Sequence, residues 1–216
     1  MTWDWGVVAD FMPKFWDGLL VTLQILALGS LISFALGLVW ALLMRTPTRF
    51  VRWPVGVVTE FIRNTPLLVQ LFFFFYVLPE WGLTWSALTT GICAIGLHYS
   101  TYTMQVYRAG IEAVPVGQWE AATALNLPMR HTWTAVILPQ AIRRVVPALG
   151  NYVISMLKDT PILMTITVLE MLGQARLFSQ QNFQFTEPLT VIGVAFIVIA
   201  YPASLLVRAL ERRLVR

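Results

Sequence analysis

Residues 18–44 contain no charged side chain. A helix of about 20 apolar residues crosses the ~30 Å hydrocarbon core of a bilayer, so this run is long enough to span with some tilt. It limits the chain to folds in which a helix is surrounded by lipid or by other such helices. Within it Gly29, Ser33, Gly37 and Ala41 recur at every fourth position. Such a stripe of small residues lets two membrane helices approach closely, and it predicts a packing seam.

Four further stretches fit the same length. Residues 55–79 form the second, containing Glu60 and Arg63, which at i and i+3 can pair on one helix face. Residues 82–107 form the third, closed by Arg108, and residues 188–207 the fifth, closed by a run of arginines from Arg208. The fourth, 145–169, is irregular, because Lys158, Asp159, Thr160 and Pro161 fall inside it. Hydrophobic residues make up 57% of the chain and charged residues 12%, against about 25% charged in a soluble domain. The expected fold class is therefore an all-α integral membrane protein of five transmembrane helices, a single domain over residues 1–216, multi-pass.

The remaining composition closes other routes. The net charge is +4, but the basic residues sit in the gaps between apolar runs, with no aromatic-basic strip to hold nucleic acid. Cys93 is the single cysteine, so no intrachain disulfide forms. His98 and His131 lie in separate contexts, and a metal site needs about four ligands; no metal is expected. Asp4, Asp10 and Asp17 with Lys14 do not make the basic start of a cleavable signal peptide, and the first apolar run is expected to be retained.

Lys and Arg concentrate on the cytoplasmic side of membrane proteins. With the N-terminus outside, the inner segments hold Arg45, Arg49, Arg52, Arg108, Arg130, Arg143, Arg144 and the C-terminal arginines, and the outer ones only Lys14 and Arg176. This predicts N-out, C-in. The longest cytoplasmic segment is then 112–144. Within it Gln118 to Leu125 are good helix formers, Gly117 is placed to cap their N-terminus, and Asn126 stands where a left-handed residue ends a helix, two residues before Pro128. A short coupling helix is expected here, between spans three and four.

Glu120-Ala121-Ala122, Asn126 and then Val136-Ile137-Leu138-Pro139 resemble the EAA motif of the permease subunits of binding-protein-dependent ABC importers, E-A-A-x3-G-x9-I-x-L-P. Asn126 replaces the glycine and Val136 the isoleucine. Asn is the next most tolerant residue of left-handed backbone, and Val keeps the β-branched apolar character. Residues 63–70 (RNTPLLVQ), 107–111 (YRAGI), 114–118 (VPVGQ), 139–141 (PQA) and 158–161 (KDTP) resemble the polar amino-acid uptake permeases, and within them the ectoine and hydroxyectoine permeases.

The resemblance implies a subunit of a bacterial plasma (inner) membrane importer for a polar amino acid or an amino-acid-like compatible solute. Its partners would be two ATPase subunits, a second permease subunit (homologous or identical), an extracytoplasmic solute-binding protein and the bilayer. ATP and Mg would belong to the ATPase; this chain has no G-x-x-x-x-G-K-[ST] loop, and neither a cofactor nor a catalytic residue is expected in it. ATPase coupling would fall to Gly117, Glu120, Ala121, Ala122, Asn126 and Pro139. A candidate substrate pathway comprises Asn64, Thr65, Gln70, Tyr102, Gln105, Lys158, Asp159 and Thr160, since polar groups inside a span are costly and mark function. Two other readings stay open at this stage. Lys158 can snorkel to the interface while Asp159 pairs elsewhere in the subunit, and the uncharged polar residues can simply hydrogen-bond between helices. A membrane-embedded enzyme lacks a nucleophile or acid–base pair, and a non-transporting scaffold leaves the charges in span four without purpose.

Overall fold

A computed structural model describes residues 3–214. It consists of nine α-helices with short π and 3-10 turns, and among the described residues there is no strand. The first, α1 (Trp5–Met44), begins where the Asp4 carboxylate accepts from the Gly6 N–H at 2.7 Å. It is 40 residues long, ~60 Å at 1.5 Å per residue. The apolar run at 18–44 is thus the distal part of a helix that starts well before it. α4 (Ala87–Glu112) lies along α1, and the stripe of small residues forms their contact: Gly29, Ser33, Gly37 and Ala41 are all buried. A Cβ at Gly37 would collide with Thr103 and the Ser100 carbonyl, and one at Gly96 of α4 would collide with Ile32. Close approach brings polar groups together inside the pair. Thr103 Oγ1 donates to the Ser33 carbonyl at 2.8 Å, Trp40 Nε1 to Ser100 Oγ at 3.1 Å, and the Tyr107 hydroxyl to the Phe34 carbonyl at 3.3 Å.

The second stretch is not one straight helix. α2 (Arg49–Asn64) stops before Pro66, and α3 (Leu67–Phe72) with the turns after it sets off at 102°. Pro66 has no N–H to continue the ladder, and the residue before a proline is pushed to extended backbone; Thr65 has φ −90 and ψ 129. Glu60 and Arg63 do pair, at 3.7 Å.

After α4, α5 (Val116–Ala124) crosses the end of the bundle, called the loop end below. α6 (Met129–His131), a π-turn and α7 (Leu138–Asp159) follow in unbroken succession. The helical path that carries the fourth run therefore begins at Met129 rather than near Val145. Arginines at 143 and 144 mark no helix end, because a helix can leave the lipid and go on. At Thr160 the α-helix tightens into a 3-10 segment, Thr160–Ile166, with Pro161 in its first turn. This is the irregularity foreseen at 158–161. α8 (Met171–Asn182) packs with α9 (Thr186–Leu214) against the first half of α1, around Phe11, Phe15, Met171 and Ile192.

α1 and α9 are long and apolar enough to cross a membrane, and up to four spans are counted if each of two bent helix pairs is one span. α4 is not among them, because its composition is diluted by His98, Ser100, Thr101 and Thr103. These four are buried inside the protein and never meet lipid. Large apolar side chains face outward on α1 and α9, among them Leu20 and Leu31 on α1 and Ile197 and Leu206 on α9.

Candidate functional site

Two groups of the predicted residues are resolved by the fold into distinct places. At the loop end, α5 is fixed to the rest of the chain by a small apolar cluster of Val114, Ile137 and Ala141, with Trp119 and Trp133 edge-to-face at 5.2 Å. Arg45, just past α1, lies 5.0 Å over the Trp133 ring, a cation–π contact that ties the end of α1 to the loop. Asn126 has φ 50. The Leu127 N–H donates to the Ala122 carbonyl at 3.0 Å and the Asn126 N–H to the Thr123 carbonyl at 2.9 Å. These two bonds make a Schellman end, which explains why a residue tolerant of positive φ stands there.

Two details of α5 depart from the sequence reading. Pro115, not Gly117, is the N-cap; Gly117 lies inside the first turn, exposed. Ala122 is buried against its own chain, 3% exposed, so it fixes the helix in place and is not on the face a partner could touch. That outer face carries Gly117, Gln118, Glu120, Ala121 and Leu125, with Val116 beside it. Val116 and Leu125 are 71% and 72% exposed. Pro139 is the second residue of α7, directly after the π-turn Thr132–Ile137.

The second place lies deep between α3, α4 and the end of α7. The Tyr99 hydroxyl donates to the Asp159 carboxylate at 2.6 Å, the short distance of a charge-assisted bond. The rings of Tyr99, Tyr102 and Tyr152 meet at 5.7 to 6.1 Å, and His98 stacks at an angle on Tyr102 at 5.3 Å. The Tyr102 hydroxyl donates to the Arg63 carbonyl at 3.4 Å, at the open end of α2. The result is a carboxylate beside three tyrosine rings, assembled from residues on α4 and α7.

The other pathway candidates separate. Gln70 is buried and already engaged: its amide donates to the Ile62 and Thr65 carbonyls at 2.6 and 2.8 Å and meets His98 Nδ1 at 3.0 Å. These bonds lie at the break before Pro66, and the Gln70 Oε1 is buried with no hydrogen-bond partner among the described residues. Thr160 is fully buried with its hydroxyl on the Leu157 carbonyl at 2.9 Å. Thr65 bonds the Phe61 carbonyl at 2.8 Å. Asn64 and Lys158 are exposed. Lys158 and Asp159, as neighbours on a helix, point apart. Gln105 is half-buried and makes no hydrogen bond among the described residues; two turns along α4 from His98, it shares the face of His98 and Tyr102. Tyr99, Tyr152 and His98 were missed from sequence. The spacing 98, 102, 105 on one helix face was the available signal for His98, whereas Tyr152 becomes visible only when α7 is laid on α4. Among the described residues no group of acidic, His and Cys side chains could hold a metal.

Comparison with known proteins adds three findings. The model of the family described as "Binding-protein-dependent transport system inner membrane component" matches residues 33–216. A probable amino-acid ABC transporter permease protein of Sinorhizobium fredii is 46% identical, covering 97% of this chain and 93% of that one, and the L-cystine transport system permease protein of Bacillus subtilis is 35% identical over 98% and 92%. A crystal structure of an amino acid ABC transporter with histidines has a chain with TM-score 0.93 and 34% identity, over 99% of this chain and all of that one.

Proposed function

From the premise that the chain belongs to the family of binding-protein-dependent transport system inner membrane components, we propose that the cage around Asp159 is where a polar amino acid or similar zwitterion meets this subunit on its way through the membrane. The chain is an amino-acid ABC transporter permease subunit. Membership implies an ATPase and a solute-binding protein as partners and a bacterial inner membrane as the site. Two ATPase subunits and a second permease subunit, identical or homologous, complete our proposed assembly.

The observation that carries the reading is the Asp159 carboxylate held by Tyr99 beside the rings of Tyr102 and Tyr152. An α-ammonium group is recognised by a carboxylate and by aromatic faces, each at short range. Gln105, neutral and able both to donate and to accept, suits a net-neutral solute. Ectoine and hydroxyectoine are the narrower proposal, supported by the resemblance of the motifs and by Gln105; the relatives named above are amino-acid and cystine permeases by name. Reconstitution in liposomes with ATPase and binding protein tests both levels. Solute-stimulated ATP hydrolysis by a neutral amino acid or by ectoine, lost in Asp159→Ala, supports the site. Equal stimulation in Asp159→Ala overturns it, and stimulation by amino acids but not by ectoine removes the narrower proposal.

We further propose five spans, N-out and C-in. α4 is 26 residues long, ~39 Å, and its polar side chains are covered by α1, α3 and α7, which supports a span that hydropathy alone does not count. The outer face of α5 is the proposed contact with the ATPase, supported by the exposed apolar Val116 and Leu125. In a Cys93→Ser background, a membrane-impermeant thiol reagent applied from outside should label a cysteine at 180 and spare one at 118. The reverse pattern refutes the orientation.

A further inference from the structure

At the loop end, between the last turn of α1, α2 and the last turns of α4, an open cavity of about 600 Å³ is bordered by Met44, Arg49, Arg52, Trp53, Glu60 and Arg108. Its charge is unbalanced. Glu60 is already shared with Arg63, and Arg108 with Glu112 at 3.5 Å. Arg49 and Arg52 have no carboxylate within ion-pair distance among the described residues. The start of α2 adds to this, because Thr48 gives its N-terminus no side-chain cap, so the first N–H groups remain available to an anion.

Beside the basic cavity, and sharing Arg49 and Trp53 with it, is a second hollow of about 390 Å³ whose other walls are Phe50 and Pro54. Phe50 and Trp53 are 91% and 66% exposed. The height of the pair is fixed by the chain itself. Met44 ends the charge-free run of α1, and Arg108 is the first charge after that of α4. The cavity therefore sits at the level where hydrocarbon gives way to headgroups, and the apolar hollow opens on its flank.

We infer that this is a binding site for one anionic phospholipid. Its phosphodiester lies between Arg49, Arg52 and Arg108, and an acyl chain runs over Phe50, Trp53 and Pro54. Charge complementarity selects phosphatidylglycerol over phosphatidylcholine, whose ammonium group offsets its phosphate. Basic pockets between membrane helices on the cytoplasmic side hold headgroups in this way. The inference is independent of which solute the permease carries.

The test uses the full chain, purified in detergent, with lipid bound from mixtures of phosphatidylglycerol and phosphatidylcholine and counted by native mass spectrometry. The expected result is selective retention of phosphatidylglycerol. Arg49→Gln with Arg52→Gln should lower it roughly thirtyfold, since each basic residue near an anionic surface contributes about 1 kcal/mol and 1.4 kcal/mol is tenfold. Trp53→Gln should remove the preference for long-chain over short-chain phosphatidylglycerol. Arg143→Gln, outside the cavity, should leave retention unchanged. Three results overturn the proposal. One is unchanged selectivity in the double variant. Another is displacement of the lipid by inorganic phosphate with no dependence on chain length, which makes the cavity a free-anion site. The last is a change in subunit association without a change in lipid selectivity, which makes it a protein interface.

Discussion

The loop end and the Asp159 cage are built on opposite terms. At the loop end, apolar side chains that the chain could have buried are left outside: Val116 at the start of α5 and Leu125 at its C-cap are both more than two-thirds exposed. In the cage, polar side chains that water would gladly take are at least half-buried, and Tyr99 and Tyr102 each bond a group on a different helix. Exposed apolar groups are an unfinished interface; buried polar groups are a finished one, costly to disturb. The two regions should therefore fail differently. Damage to the outer face of α5 should spare the fold and break communication with a partner, whereas damage within the cage should be felt by the solute.

The largest effect is expected where that contrast is sharpest, between adjacent alanines. Ala122→Asp puts a carboxylate into the packing under α5 and should destabilise the loop on the order of 3 kcal/mol, seen as proteolysis between residues 113 and 128. Ala121→Asp, one residue away and exposed, should leave the loop protease-resistant yet abolish solute-stimulated ATP hydrolysis. If the two variants behave alike, α5 is not divided into an inner and an outer face. Next is Tyr99→Phe, which removes the bond to Asp159. Hydrogen bonds to a charged group contribute about 1.5–3 kcal/mol, so the solute concentration for half-maximal stimulation should rise at least roughly tenfold, with assembly intact; an unchanged value separates the cage from the solute. Gln105→Leu and Gln105→Glu should shift the same value less, by about threefold, within the ~1 kcal/mol of a neutral hydrogen bond, and in assembled complexes. Two parent-like variants would make Gln105 structural. The smallest effect belongs to Asn126→Gly: the left-handed position accepts either residue, and the melting temperature should move by no more than the equivalent of a few tenths of a kcal/mol. A large loss there would mean that the Asn126 side chain, not its backbone, is used.

How readily each region could be read from sequence follows from the same contrast. The loop's pattern is contiguous. Glu120, Asn126 and Pro139 are held at set intervals because one short helix and one left-handed turn must fit between two long helices. Spacing therefore carried the EAA motif, and Asn126 lies at positive φ as expected. What spacing could not carry was the inward turn of Ala122, since a nine-residue helix with alanines on both sides shows no periodicity. The cage is assembled from residues some 60 positions apart. Asp159 and Tyr102 announced themselves as polar groups in apolar surroundings, but Tyr99 and Tyr152 are common inside membrane helices and acquire meaning only through their neighbours. Gln70 and Thr160 looked equally functional; Thr160 bonds a backbone carbonyl, and Gln70 gives its amide N–H groups to carbonyls while its Oε1 has no partner among the described residues. The bend at Pro66 is not read from sequence, where 55–79 forms one stretch; beside it Gln70 meets His98 of α4. The arginines at 143 and 144 bound the apolar run read as span four, but not the helix, which continues back through the π-turn to Met129.

The glycine seam between α1 and α4 decides where this molecule can change shape. With no slack at Gly37 or Gly96 and with Thr103, Trp40 and Tyr107 bolting one helix to the other, these two helices travel as a single body, since close-packed contacts transmit displacement rather than absorb it. Relative movement has to be taken up against α7. There the fit is again tight at one end, where Gly110 lies against Val145 and Arg144 reaches the Ala113 carbonyl. The far end is packed as well, with Leu163 against Gly91 and Met156 in one buried cluster with Ile95, and two side-chain bonds cross there, Tyr99 to Asp159 and Ser30 to Met156. Both ends of this joint are packed, so a solute that takes the Asp159 carboxylate from Tyr99 removes one bond without opening a gap between the helices.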